Sequence, residues 1–178
     1  MSEKLKGTKT ESNLRAAFSG ESQARNRYSY FADTAKQEGY DEIAKFFEDT
    51  ATNERTHAKV WYKLLRDNLL PDTKQNLRDA IEGERFERAE MYPAFAKTAK
   101  EEGFDDIAHL FEEIARIEKK HEDQCKIILE SLETNNAINF IAPDITCLQC
   151  GHDFTEDKNY TNCPICNASS AFFIKKQN

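Results

Sequence analysis

The chain has 178 residues, with 25 Lys plus Arg against 32 Asp plus Glu and a formal net charge of −7. That length supports one good core and a small appendage, and the acidic balance disfavours nucleic-acid and anionic-membrane roles. No run approaches the length of a membrane span, and the polar start from Met1 to Thr10 carries no apolar signal region, so a cytoplasmic protein is expected.

After a loose lead-in over Met1 to Glu11, a first helix is expected from Ser12 or Asn13, either of which can cap it, to Glu38. Its inward stripe is Leu14, Ala17, Glu21, Ala24, Tyr28, Phe31 and Ala35, and Gly39 is its natural stop. A second helix should follow from Asp41, in cap position, to about Asn68. Leu69 to Thr73, with Pro71, makes a short crossing. The third helix is expected from Lys74 to Glu102, stopped by Gly103, and the fourth from Asp105 to Glu133. Thr134 to Ala137 reads as a hinge. The segment beyond it holds Pro143, Gly151, Pro164 and two Cys-x-x-Cys pairs, and is too small to stand on a hydrophobic core alone. The expected architecture is an all-α four-helix bundle over 1–134 and a small four-cysteine ribbon over 138–178.

Two helices carry ionisable groups where apolar ones belong. Ile107, Phe111, Ile114, Glu118, His121, Cys125 and Ile128 step by four and three, as a packed helix face does. Ile43, Phe47, Thr50, Glu54, His57, Trp61 and Leu64 do the same. Each stripe sets a Glu and a His one turn apart, pointing inward together. A buried, unpaired carboxylate costs several kcal/mol or neutralises itself, and a metal ion is the simplest compensation. Cys125 lies where the first stripe has Trp61 and reads as a small core residue.

The four helices are two copies of one helix pair. Gly20-Glu21, Phe31-Ala32, Glu38-Gly39, Ile43-Ala44 and Phe47-Glu48 recur as Gly83-Glu84, Phe95-Ala96, Glu102-Gly103, Ile107-Ala108 and Phe111-Glu112. A duplicated pair burying two matching faces gives a bundle with pseudo-twofold symmetry. The separation of Phe31 from Phe95 exceeds that of Glu21 from Glu84 by one residue. The ends of the third helix have not moved, so the insertion should be absorbed as a π-bulge between Glu84 and Phe95, where Pro93 removes an N–H.

Each helix thus sends a carboxylate inward: Glu21, Glu54, Glu84 and Glu118, with His57 and His121 one turn on and Glu87 as an extra on the third helix. A Glu from each of two helices and Glu-x-x-His from the other two is the dinuclear carboxylate pattern. Carboxylate and imidazole suit iron or manganese. A cytoplasmic setting disfavours structural disulfides, so Cys147, Cys150, Cys163 and Cys166 make two thiolate knuckles for one tetrahedral ion, zinc or iron. His152 follows the first knuckle but four sulfurs already complete the tetrahedron.

Gly20-Glu21, Glu54-Arg55-Thr56-His57, Gly83-Glu84-x-x-Glu87 with Met91-Tyr92-Pro93, Glu118-x-x-His121 and the two Cys pairs together resemble the rubrerythrins over essentially the whole chain. The resemblance implies a ferritin-like bundle and a rubredoxin-like tail. It implies a non-haem di-iron peroxidase that reduces hydrogen peroxide to water and protects an anaerobe or microaerophile from oxidative stress. Electrons would reach the di-iron site through the four-cysteine iron, from a reduced rubredoxin or flavoprotein and ultimately from NAD(P)H. Carried over by position, Glu21, Glu54, Glu84, Glu87, Glu118 and His121 match the di-iron ligands, and Glu87 and His57 the pair exchanged with redox state. Tyr28 and Tyr92 are candidates to support the ligand carboxylates. The resemblance also implies a homodimer with the thiolate iron of one subunit near the di-iron site of the other. The short crossing at Leu69 to Thr73 leaves open whether helices are exchanged between subunits.

Two other functions fit parts of the pattern. A ferritin-like ferroxidase would use the same bundle for iron handling, though a storage shell needs no built-in four-cysteine relay. A non-catalytic bundle with a structural zinc ribbon would hold no redox iron at all.

Overall fold

The computed structural model describes residues 4–138, 145–154 and 160–175; the first three residues of the expected lead-in and the stretch around Pro143 lie outside them. The chain forms two compact units, Met1–Leu70 and Pro71–Asn178.

The first unit is a helical hairpin. α1 (Lys9–Gln37) starts earlier than Ser12 because the Thr8 hydroxyl accepts from the Glu11 N–H and caps it. α2 spans Asp41–Leu64. Asp41 is its first helical residue rather than its cap; Tyr40 takes that position without a side-chain cap bond. The reason is the tightness of the turn. Gly39 adopts φ +81°, and the Tyr40 N–H returns to the Ala35 carbonyl at 2.8 Å, a Schellman closure that leads straight into the next helix.

The second unit repeats this plan. α3 (Thr73–Phe86), a π-helical turn (Glu87–Met91) and α4 (Tyr92–Glu101) run as one continuous helix. Gly103 at φ +82° and the Phe104 N–H to Ala99 carbonyl bond at 2.8 Å then repeat the first turn. α5 covers Asp105–Thr134 and ends on left-handed Asn135. The π turn falls where the one-residue insertion required it. The Tyr92 N–H reaches back five residues to the Glu87 carbonyl. Pro93 sits at the start of α4, where its absent N–H does least damage.

The duplication extends to side chains. Tyr28, Phe31 and Phe47 form an aromatic trio with Tyr28–Phe47 at 6.0 Å and Phe31–Phe47 at 5.6 Å between ring centroids. Tyr92, Phe95 and Phe111 repeat it at 6.0 and 5.6 Å. Lys36 pairs with Glu48 as Lys100 pairs with Glu112.

Within each hairpin the buried seam is alanine: Ala32, Ala35, Ala44, Ala51 and Ala58 in the first, Ala96, Ala99 and Ala108 in the second. Small side chains let the helices approach closely. The stripes of Glu, His and large apolar residues lie beside this seam. Taken by itself, each pair therefore leaves an apolar face uncovered, with Phe31 and Ile43 at 46% and 47% exposure and their copies Phe95 and Ile107 both at 46%. The stripes expected at the centre of the core are not the surfaces that the two helices of a pair use on each other.

One charge interrupts the second seam. Glu122, 1% exposed, stands where the first repeat has Ala58. It accepts from Arg88 of the π turn and from Lys126, and Arg88 first and Lys126 second hold its carboxyl down to about 2. This contribution is present above the ordinary carboxylate range and fades as pH falls towards that value. Glu122→Ala should cost about 1–3 kcal/mol in chemical denaturation near neutral pH, because Arg88 loses its partner. Adding Arg88→Met should recover most of that loss, and strict additivity of the two substitutions would deny the coupling.

The tail is a three-stranded antiparallel sheet in the order β2 (Asp153–Phe154), β1 (Ile145–Cys147), β3 (Phe173–Lys175). Phe154 is its apolar centre, 4.8 Å from the Tyr160 ring and 4.4 Å from the Phe173 ring. Cys147 and Cys163 are buried beside it.

Candidate metal centre

The first helix pair gathers Glu21 from α1 with Glu54 and His57 from α2; one ligand atom of each lies within 4.8 Å of the others. His57 Nδ1 stands 3.1 Å from Glu54 Oε2 and 3.8 Å from Glu21 Oε2. A hydrogen bond with Glu54, and then burial, raise the Glu21 carboxyl above its usual range, while that bond and His57 lower Glu54. The two carboxyls are linked: the one hydrogen bond between them raises Glu21 and lowers Glu54.

The second pair gathers Glu84 with Glu118 and His121 in the same way. His121 Nδ1 is 2.7 Å from Glu118 Oε2 and 3.6 Å from Glu84 Oε2. Burial first, and Glu118 second, raise the Glu84 carboxyl. Its Oε2 is buried with no hydrogen-bond partner among the described residues, an oxygen that a cation would satisfy. Glu87, on the π turn, lies outside this close triplet, and burial and then the charge of Glu84 raise its carboxyl.

Tyr92 sits among these acids. Burial, then Glu118, Glu87 and Glu84, push its phenol up, so it stays a hydroxyl beside the carboxylates. Tyr28 makes the matching ring contacts in the first repeat, packed on Phe47 and edge-on to Phe31 as Tyr92 is to Phe111 and Phe95. Trp61 has a role the sequence reading passed over. Its buried indole N–H lies near Glu21 and favours the charged form, yet has no acceptor within hydrogen-bond distance among the described residues. Cys125, its counterpart, lies near Glu84, and burial raises its thiol.

In the tail, all four cysteine sulfurs lie within 4.8 Å of one another. Cys147 to Cys166 is 3.8 Å and Cys150 to Cys163 is 3.6 Å. A tetrahedron with metal–sulfur bonds of about 2.3 Å has edges of about 3.8 Å, so the cluster fits one ion. The knuckles are copies: Gly151 N–H to the Cys147 carbonyl at 2.8 Å, Asn167 N–H to the Cys163 carbonyl at 2.9 Å. Both turns need left-handed backbone, φ +78° and +58°. Burial raises the Cys150 and Cys166 thiols; burial acts the same way on Cys147, but the N–H groups of Cys150 and Gln149 pull it below the usual value. His152 is not in the cluster. It stands edge-on to Phe154 at 4.9 Å, and burial lowers its basicity.

The chemistry of these donor sets is specific. Glu and His triplets suit iron or manganese, and four sulfurs suit iron or zinc. Among the described residues, no helix is long and apolar enough to cross a membrane.

A family model and curated relatives agree with this reading. Residues 12–129 match the rubrerythrin family model. Rubrerythrin-1 of Clostridium acetobutylicum is 42% identical, with 95% of each chain covered. Rubrerythrin of Porphyromonas gingivalis is 40% identical, covering 97% of this chain and 92% of its own, and that of Nitratidesulfovibrio vulgaris is 37% identical, with 95% of each chain covered. With two matching Glu/His helix pairs of ferritin-like type and a rubredoxin-like four-cysteine ribbon, the chain belongs to the rubrerythrin family.

Proposed function

We propose that the protein is a peroxidase that reduces hydrogen peroxide to water at a pair of iron ions in the helical segment, 1–134. The observation that carries this reading is the coexistence in one chain of two duplicate Glu/Glu/His triplets and a four-sulfur site. The proposed ligands are Glu21, Glu54, Glu84, Glu87, Glu118 and His121, with His57 the alternative to Glu87. Two helix pairs, of one chain or of two in a homodimer, would close their uncovered apolar faces on each other and bring the triplets together. When bound, the iron pair supplies two electrons for O–O cleavage and stabilises the charge that develops on oxygen.

The chain's own groups define the rest of the mechanism. Glu54 and Glu118 each stand close to both the other carboxylate and the imidazole of their triplet, and would be the ligands available to both ions of a pair. Glu21, whose carboxyl the bond to Glu54 raises, would bind a metal in its charged form and lose any proton it holds. Tyr92 offers a hydroxyl to the carboxylates in both states. Glu87, held on the π turn outside the close triplet, and His57, at 54% side-chain exposure, are the two groups free to exchange as the charge of the site changes. In the segment 138–178, Cys147, Cys150, Cys163 and Cys166 would hold a single iron, which would supply one-electron chemistry between the helical site and a reduced rubredoxin or flavoprotein fed by NAD(P)H.

Turnover tests the reading. Iron-loaded protein given a reduced flavoprotein or rubredoxin donor should consume two electrons per peroxide and release no dioxygen. Rapid ferrous oxidation with mineral accumulation and slow peroxide use would instead indicate ferroxidase-type iron handling.

The raised carboxyls give a pH signature. Glu21, Glu84 and Glu87 have folded-state values above the unfolded one, so in metal-free protein they cost stability as pH rises through that window. A bound cation removes this cost. The gap in melting temperature between loaded and metal-free protein should therefore widen as pH rises above the ordinary carboxylate range. A gap that narrows over this range would contradict the assignment.

A further inference from the structure

The two repeats part company along the flank of the alanine seam. In the register that matches His57 to His121, Arg55, Ala58 and Lys59 of α2 correspond to Lys119, Glu122 and Asp123 of α5. Arg25 lies four residues beyond Glu21, as Arg88 lies four beyond Glu84. The second repeat neutralises its own cations there. Glu122 takes Arg88 and Lys126, and Asp123 takes Lys119 one turn back. The first repeat keeps the cations and drops both acids.

That choice is unfavourable for the helix itself. Arg55 and Lys59 are like charges four residues apart, a spacing that repels, where the second repeat has an attractive pair. Arg25, Arg55 and Lys59 form no ion pair among the described residues; Arg25 donates to the neutral Asn26 side chain at 3.2 Å. Three such cations stand together in a chain with a net charge of −7.

The space that Glu122 occupies in the second repeat is open in the first. Between α1 and α2 lies a cleft of about 500 Å³, rimmed by Arg25, Arg55 and Lys59 and floored by Phe18, Ala58 and Tyr62. Ala58 is 7% exposed, and the Phe18 and Tyr62 rings pack at 5.5 Å. This is the size of a small-molecule site, with an apolar floor and a few convergent polar groups. Guanidinium groups suit carboxylates, which they can bind through two parallel hydrogen bonds.

We propose that this cleft binds a small dicarboxylic acid. One carboxylate takes the place against Arg25 that Glu122 holds against Arg88, the other meets Arg55 and Lys59, and the carbon chain lies on Phe18, Ala58 and Tyr62. The site belongs to the first helix pair alone and does not rest on the peroxidase reading.

Titration calorimetry of the full-length, iron-loaded protein tests the site, with succinate, glutarate and adipate as probes at constant ionic strength. At least one should bind saturably, one per chain, and its neutral diamide should not bind. Arg25→Gln, at an exposed position, should weaken that acid by about tenfold or more, the scale of one charge-assisted hydrogen bond. Ala58→Glu copies the second repeat and should abolish binding, because the chain then supplies its own acid to the cleft. Should Ala58→Glu fail to fold, Arg25→Gln decides alone. No saturable binding of any of the three acids overturns the proposal, as does an equal response to the diamide. Binding that survives Arg25→Gln undiminished places the acid elsewhere, such as on the iron, and overturns it too.

Discussion

Glu118→Ala is expected to empty the helical metal site and leave the four-cysteine site filled. Glu118 Oε2 is the acid oxygen nearest to His121 Nδ1, at 2.7 Å, and its loss leaves Glu84 beside an imidazole with no bridging partner. Loss of an outer partner of a ligand already costs about 10- to 100-fold in metal affinity, so deleting a proposed ligand should exceed the upper end. Iron analysis should find the thiolate-bound ion retained, with its visible colour, and peroxide turnover reduced by more than about a hundredfold. Metal content at the unsubstituted level would show that the triplets do not hold the ions. Glu54→Ala should behave alike, because the two triplets are copies.

Cys147→Ser should have the opposite pattern. Cys147 is wholly buried beside Phe154 and Cys163, so the ion and the small apolar cluster support each other. A ribbon of this size draws its folding energy from the metal. The substituted protein should lose the thiolate absorbance and the near-ultraviolet signal of Phe154 and Tyr160, while far-ultraviolet helicity persists. The reduced helical site should still be oxidised by peroxide, once, because no relay refills it. Steady turnover with the physiological class of donor should fall to the background of the donor alone. Undiminished turnover would remove the ribbon from the electron path.

The fold was largely legible because duplication makes coincidences countable. A lone Glu on a helix says little, whereas Glu54-x-x-His57 and Glu118-x-x-His121 at matching points of two stripes say a great deal. The π turn was legible for the same reason: one surplus residue between Glu84 and Phe95 had to go somewhere, and it lies at Glu87–Met91. The cysteine knuckles were legible from spacing alone.

What escaped the sequence depends on contacts rather than on period. Ala44, Ala51 and Ala58 form the buried seam, but alanine is common on every face of a helix and does not announce itself. Thr8 caps α1 in place of Ser12 or Asn13, because all three residue types qualify and only the backbone decides. Glu122 reads as one more surface acid until Arg88 and Lys126 are found closing over it. Nothing in the spacing of Lys120 marks it, and only the folded chain brings Gly151 and Asp153 to it. Trp61 was legible as core and not as a neighbour of Glu21.

Anaerobic stopped flow on the fully reduced, iron-loaded protein decides whether the two sites work as one peroxidase. One equivalent of hydrogen peroxide is added and the visible absorbance of the thiolate-bound iron is followed. The proposed function predicts rapid return of colour, faster than with dioxygen and abolished in Glu87→Ala. Colour that returns no faster than in a free four-cysteine iron site, or equally fast in Glu87→Ala, would contradict it.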